Sequence, residues 1–220
     1  MSDLTLVIGT KNYSSWSLRP WLLLRHLGVG FTERVIHLES AEFASEVPRL
    51  SPSRRVPVLL HGSLRVWESL AICEYASELA GGRGWPADAA ARAEARAIAA
   101  EMHAGFAALR SACPMNARAR NRHVPTTPAL EADVARITAI WEDCRRRHAA
   151  AGPWLFGGYS AADAMFAPVA LRFLTYGPPA SGRAGEYLQT MLADEPLRAW
   201  MADAVVEGVV IPSDEAGSQA

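Results

Sequence analysis

Lysine is nearly missing from this chain of 220 residues: Lys11 stands alone, and every other member of its Lys+Arg set is arginine. With alanine abundant, the skew reads as coding bias rather than chemistry. An excess of one charge is missing too, since 22 Lys+Arg face 23 Asp+Glu and leave a formal net charge of −1. Nothing in that balance draws the chain to nucleic acid or to an anionic membrane. No apolar run approaches the roughly 18 residues that would span a bilayer. The opening "MSDLTLVIGT" lacks the basic start and long apolar stretch of a signal peptide. Cys73, Cys113 and Cys144 include no CxxC pair and are odd in number, so reduced thiols in a cytoplasmic protein are expected. The six histidines contain no HExxH or comparable pair, so no metal site is expected.

What is present is ordinary for a globular protein, with 50% hydrophobic and 20% charged residues. The length suffices for one large domain or two small ones with proper cores. The first 80 or so residues alternate strand and helix signals. "LTLVIGT" reads as a buried strand, "SSWSLRPWLLLRHLG" as a helix stopped by Gly28, and "FTERVIHL" as a second strand. "VPVLLHGSLRVWES" carries two apolar runs around His61-Gly62-Ser63, a hairpin signal. "SLAICEYASELAGG" is an amphipathic helix stopped by Gly81 and Gly82. Strands joined by a helix should be parallel and the hairpin pair antiparallel; the stretch between the second strand and "VP" has no clear period.

After "GGRGWPAD" the character changes, and no convincing strand follows for a hundred residues. Ile98, Met102, Phe106 and Leu109 fall on one helical face, as do Leu130, Val134, Ile137, Trp141 and Cys144 in the next helix. "SAADAMFAPVALRFLTYG" is apolar nearly all round, a buried central helix that Pro168 should kink or locally break. "DEPLRAWMADAV" opens another helix with Pro196 near its first turn.

Three short stretches carry chemistry as well as structure. In "YSSWSLRPW", Ser14 or Ser15 is the natural N-cap of the first helix, where neighbouring N–H groups and the helix dipole favour an anion. One reading is capping alone; the other is a hydroxyl that donates to a bound thiolate. In "RRVPVLL", Pro57 fits an ordinary strand edge, or a cis Val56–Pro57 bond that turns the Val56 backbone toward an extended peptide. In "WESLAI", Ser69 opens a helix behind Glu68, and the pair suits either simple capping or the carboxylate and ammonium of an amino-acid head.

The order of these signals resembles the glutathione transferase family over nearly the whole chain: strand, serine-capped helix, "VP" at a strand start, hairpin, then "ES" opening a helix. "ESLAICEYASELAGGRGWPADAAARAEARA" is similar to the end of its thioredoxin-like domain and the linker beyond, and "GGYSAADAMFAPV" to its capping box, with Ser160 as cap and Asp163 reaching back. "SSWSLR" most resembles the serine-type zeta class, whose signature is a double serine followed by cysteine. Trp16 stands where that cysteine would be, which argues against zeta-type isomerisation. "MHAGFAALRSACPMN" resembles a segment of many bacterial members.

The resemblance implies a thioredoxin-like N-terminal domain over residues 1–81, a linker over 82–87 and an all-helical C-terminal domain over 88–220. It implies a homodimer acting in detoxification, with glutathione as co-substrate, no metal, and a small electrophile as second substrate. Carried over by position, Ser14, with Ser15 as the alternative, would hydrogen-bond the thiolate. Val56 would pair with the cysteinyl part across a cis Pro57, Glu68 and Ser69 would hold the γ-glutamyl head, and Arg55 would lie near the glycyl carboxylate. Arg19 is read as structural. His103, Phe106, Arg110 and Met115 are expected as walls for the electrophile. The arginines of "NARARNRHVP" form either a solvated loop or a draw for an acidic co-substrate. A glutathione-dependent isomerase of the maleylacetoacetate type, a disulfide or peroxide reductase, and a non-catalytic protein-binding module are the alternatives.

Overall fold

The computed structural model describes residues 3–219. Strand β1 (Leu4–Ile8) leads into helix α1 (Ser15–Leu27), which ends on Gly28 at φ +67°, where a side chain would be strained. Strand β2 (Thr32–Val35) follows, then helix α2 (Ala41–Leu50), the hairpin of β3 (Val58–His61) and β4 (Leu64–Trp67), and helix α3 (Ser69–Leu79). The sheet order is β2-β1-β3-β4, with β2 parallel to β1 and the other two pairings antiparallel, as expected. This is the expected thioredoxin-like arrangement. The stretch without a clear period proves to be α2, capped by Ser40, whose Oγ accepts from the Phe43 N–H at 3.0 Å. Gly9, just past β1, has no room for a side chain: a Cβ would lie 2.8 Å from Leu38 and 3.1 Å from Val56. That close approach seats the loop before β3 against the end of β1.

The remainder is helical apart from one small ladder: α4 (Ala89–Ala104), α5 (Ala107–Ala112), α6 (Pro128–His148), α7 (Ala161–Tyr176), α8 (Gly182–Ala193) and α9 (Glu195–Val206). The face shared by Ile98, Met102, Phe106 and Leu109 is buried, but two helices supply it. Gly105 and Phe106 break the run, Phe106 with φ +61°. Helix α7 is buried nearly all round and runs from Ala161 to Tyr176 through Pro168. It packs on α1, α3 and α4, so the same helix closes the core of both halves.

The start of α7 is built as the sequence suggests. Asp163, fully buried, accepts from the Ser160 N–H at 2.9 Å, the Ser160 hydroxyl at 3.0 Å, the Leu155 N–H at 3.0 Å and the Tyr187 hydroxyl at 3.1 Å. Burial pushes its carboxyl up to about 6, and the four donors oppose that only in part. Two short strands unforeseen in the sequence, β5 (Arg122–His123) and β6 (Ser218–Gln219), pair antiparallel and tie the C-terminal segment to the loop after α5. No helix among the described residues is long and apolar enough to cross a membrane.

Candidate functional site

The turn between α2 and β3 ends in a cis Val56–Pro57 bond. The β3 ladder starts only at Val58, so Val56 lies just outside the sheet pairing. At the other end of the hairpin, Glu68 has φ +70° and ψ 123°, a conformation that costs a non-glycine residue on the order of 1–3 kcal/mol. That bend turns the chain from β4 into α3 and leaves the Glu68 side chain about half exposed beside Ser69. Ser69, at the first turn of α3, is 1% exposed, yet its hydroxyl has no hydrogen-bond partner.

These two corners bound one cavity of about 260 Å³. Arg55, Val56 and Pro57 line it from the cis turn, with Ser53 beside them, and Glu68 and Ser69 from the start of α3. Trp16 and His103 complete it from α1 and α4. The structure thus gathers five sequence-selected residues of the proposed tripeptide site, and His103, around one space. Trp16 and Ser53 were not singled out as site residues; Trp16 lies inside "YSSWSLRPW", while Ser53 carries no signal of its own.

Ser14 and Ser15 sit at the N-terminus of α1, both buried, and neither lines the cavity. Ser14 precedes the helix, but its hydroxyl makes no capping bond. It lies 2.7 Å from the Ser17 hydroxyl, which itself accepts from the Gly9 N–H at 3.2 Å. When Ser17 donates to Ser14, the Ser14 proton is free to donate elsewhere.

The helical wall is more cationic than the sequence indicates. Arg19 is fully buried, and its Nε and one terminal nitrogen have no hydrogen-bond partner. Its guanidinium carbon lies 4.2 Å from the Trp16 ring centroid, and that of Arg110 lies 4.7 Å from it. Arg110 donates to the carbonyls of Met102 and His103, freed where α4 stops, while its Nε is unpartnered. His103 meets the Trp16 ring edge-on at 5.2 Å and approaches Glu68 to 3.8 Å. Burial first, then the charges of Arg19 and Arg110, hold the His103 imidazole below its ordinary range against the pull of Glu68. Burial and the like charges of Arg110 and Arg172 lower Arg19 as well.

Phe106, Arg110 and Met115, expected as walls, do not line the cavity: Phe106 and Met115, 7% and 2% exposed, belong to the hydrophobic core, and Arg110 packs on Trp16. The arginine loop is also committed elsewhere. Arg118 donates to the Tyr13 hydroxyl and the Val209 carbonyl, Arg120 to loop carbonyls, and Arg122 to Glu215 at 2.8 Å and to Gly217. Glu215 also accepts from the Tyr13 hydroxyl at 2.6 Å and from Asn116 at 2.9 Å, so this cluster straps the C-terminal segment down. A larger cavity of about 580 Å³ lies in the helical part, against Cys113, Leu130, Val134 and Tyr176. None of the unpartnered polar atoms lies on its lining, so the smaller cavity is the better candidate site.

Residues 13–79 match the family model of the glutathione S-transferase N-terminal domain. No curated protein matches the chain. Among solved structures, a glutathione transferase homologue from Burkholderia with bound glutathione is 23% identical, with a TM-score of 0.68 over 92% of this chain and 97% of its own. A Tau class glutathione S-transferase from mango is 21% identical, with a TM-score of 0.69 over 90% and 92% of the two chains. A glutathione transferase homologue from Sulfitobacter, also with bound glutathione, is 19% identical, with a TM-score of 0.61 over 90% and 97%. At these identities the likeness establishes the fold: a thioredoxin-like sheet domain followed by a helical one, the glutathione transferase architecture.

Proposed function

We propose that the chain is a glutathione transferase that binds glutathione in the cavity beside Ser69 and activates its thiol for attack on a small electrophile. The observation that carries this reading is the buried Ser69 hydroxyl, unpartnered in the fold and facing the same cavity as the Glu68 carboxylate. A hydroxyl buried without a partner costs about 1–3 kcal/mol, a cost that a ligand carboxylate would relieve. Glu68 supplies the opposite charge for an ammonium, so the pair fits the zwitterionic head of a γ-glutamyl group. Val56, outside the ladder across the cis peptide, offers backbone groups to an extended tripeptide, and the exposed Arg55 side chain suits its far carboxylate.

Glutathione supplies the nucleophilic sulfur; the chain supplies the groups that favour its anion. Ser14 would donate to the thiolate, with Ser15 as the alternative. Lowering a thiol pKa by about two units takes about 2.7 kcal/mol. A hydrogen bond to a charged group contributes roughly 1.5–3 kcal/mol and a helix N-terminus up to about 2 kcal/mol. No general base is then needed. Two domains, 1–81 and 88–220 about a linker at 82–87, fit the gap between α3 and α4. A homodimer would cover Leu64 and Trp67 on the edge strand and Leu79 on α3, all more than 40% exposed. Buried free thiols at Cys73, Cys113 and Cys144 fit a cytoplasmic setting.

The test is conjugation of glutathione to 1-chloro-2,4-dinitrobenzene, together with the thiolate absorbance of the bound tripeptide. Ser14→Ala should lower kcat and raise the thiol pKa while leaving the KM for glutathione nearly unchanged. Wild-type turnover in Ser14→Ala, with activity lost in Ser15→Ala, would move the assignment to Ser15.

A further inference from the structure

Arg19 and Arg172 are buried and Arg110 is half-buried, and the surroundings of the three guanidiniums differ. Arg172 donates to the carbonyls of Cys113 and Pro168, at 2.8 and 3.2 Å. Arg110 has two carbonyls and one unpartnered nitrogen, with the Asp133 carboxylate the acid nearest in effect. Arg19 has two unpartnered nitrogens and is fully buried, with no ion pair to a carboxylate among the described residues. Both Arg19 and Arg110 rest on Trp16, the half-buried indole that forms part of the cavity wall. A desolvated guanidinium over an indole gains far less than burying an uncompensated charge costs. The positive field also reaches the cavity, since both arginines depress His103, whose buried Nδ1 has no partner. Arg55, exposed on the same cavity lining, is the cation assigned to the far carboxylate of glutathione, whereas Arg118 and Arg122 are held by Glu215 and the C-terminal segment.

We propose that Trp16 and His103, with Arg19 and Arg110 packed on the indole, form a subsite for an anionic group of the second substrate, a carboxylate on an otherwise apolar electrophile. This rests on the reading of the adjoining cavity as the glutathione site. His103, on the cavity lining, is the group placed to touch the anion. Arg19 and Arg110 are positioning residues, which act through Trp16 and through their charge. The preference for an acidic partner therefore belongs to this wall and not to the arginine loop after α5, whose side chains are spent on the C-terminal strap. Exposed Glu68, at the N-cap of α3, brings a carboxylate to 3.8 Å from His103.

The test is calorimetric titration of the whole protein with 4-nitrobenzoate and with its neutral isostere 4-nitrobenzamide, each with and without saturating glutathione. The expected result is that the carboxylate binds at least tenfold more tightly than the amide, about 1.4 kcal/mol, and does so with glutathione present. Arg110→Gln should bring the two to within about twofold, and Arg110→Lys should keep part of the preference. Because Arg110 also caps α4, the wild-type preference and its decline with added salt are read independently of any variant. Equal affinities in wild type, a preference unchanged in a folded Arg110→Gln protein, or displacement of the carboxylate by glutathione would each overturn the subsite. If glutathione fails to bind while the preference persists, the transferase reading falls and the anion subsite stands.

Discussion

Replacing Ser69 by alanine should strengthen the fold while weakening the site. The hydroxyl is buried and unpartnered, so the folded protein carries a desolvation cost of about 1–3 kcal/mol that alanine does not have. Alanine is also the better helix former by about 0.5 kcal/mol. Against these stands the loss of one oxygen's packing contacts, at about 0.1–0.2 kcal/mol each. The net expectation is a gain of about 1 kcal/mol, which for a chain of this size raises Tm by about 2–4 °C. Thermal unfolding without ligand reads that term directly. The same variant should bind glutathione about tenfold more weakly, a loss of about 1.4 kcal/mol, because a carboxylate then loses its donor. Stability traded for a preorganised polar group is the signature of a binding site. A fall in Tm of more than about 2 °C would mean that the hydroxyl is already satisfied by the fold, and the reasoning would fail there.

Asp163→Ala removes the acceptor of two N–H groups and two hydroxyls at the head of α7 and should cost about 3–5 kcal/mol in chemical denaturation, by leaving buried donors unpaired; a cost below 1 kcal/mol would show the box to be dispensable. Since the Asp163 carboxyl is pushed up to about 6, the native chain holds that proton more tightly than the unfolded one. Its contribution to stability is thus largest below about pH 4 and declines as pH rises through the folded value of about 6; urea titrations of wild type against Asp163→Asn should follow that decline, and a rise instead would mean that the four donors outweigh burial. Glu215→Gln should loosen the strap that holds Tyr13, Asn116 and Arg122, seen as faster proteolysis of the C-terminal segment at an almost unchanged global Tm; protection equal to wild type would place the strap's strength elsewhere.

The local parts of this fold were legible because their signals are local. The β1-α1-β2 unit, the hairpin at Gly62, the Gly28 stop and the Ser160–Asp163 box each rest on residues within a few positions of one another. Helix α2 was not legible, because Pro48 falls in its last turns and the apolar positions are few. Helix α8 begins at Gly182 with Gly185 one turn on, a composition that argues for a loop until Ala184, Tyr187, Leu188 and Met191 are seen packed. The break at Gly105–Phe106 was hidden for the opposite reason: the apolar spacing continues across it while the backbone does not.

The site divides the same way. Glu68, Ser69, Val56 and Pro57 could be picked out because each lies in a short stretch with its own chemistry, and the sheet then brings the stretches together. The cationic wall could not be read, since it depends on Trp16 and Arg19 on α1 meeting Arg110 from α5, about ninety positions away in sequence. Phe106 and Met115 were chosen by position along that segment, and burial in the core distinguishes them from His103, which lines the cavity. The arginine loop looked free because its partners, Val209, Glu215 and Gly217, lie at the far end of the chain.

The central claim is that the cavity between the cis turn and the start of α3 binds glutathione. Calorimetric titration of glutathione into wild type and into the double variant Glu68→Ala, Ser69→Ala tests it most directly. Saturable binding that the double change weakens at least tenfold, about 1.4 kcal/mol, is the predicted result. Binding of equal strength in the two proteins, or none to wild type, would contradict it.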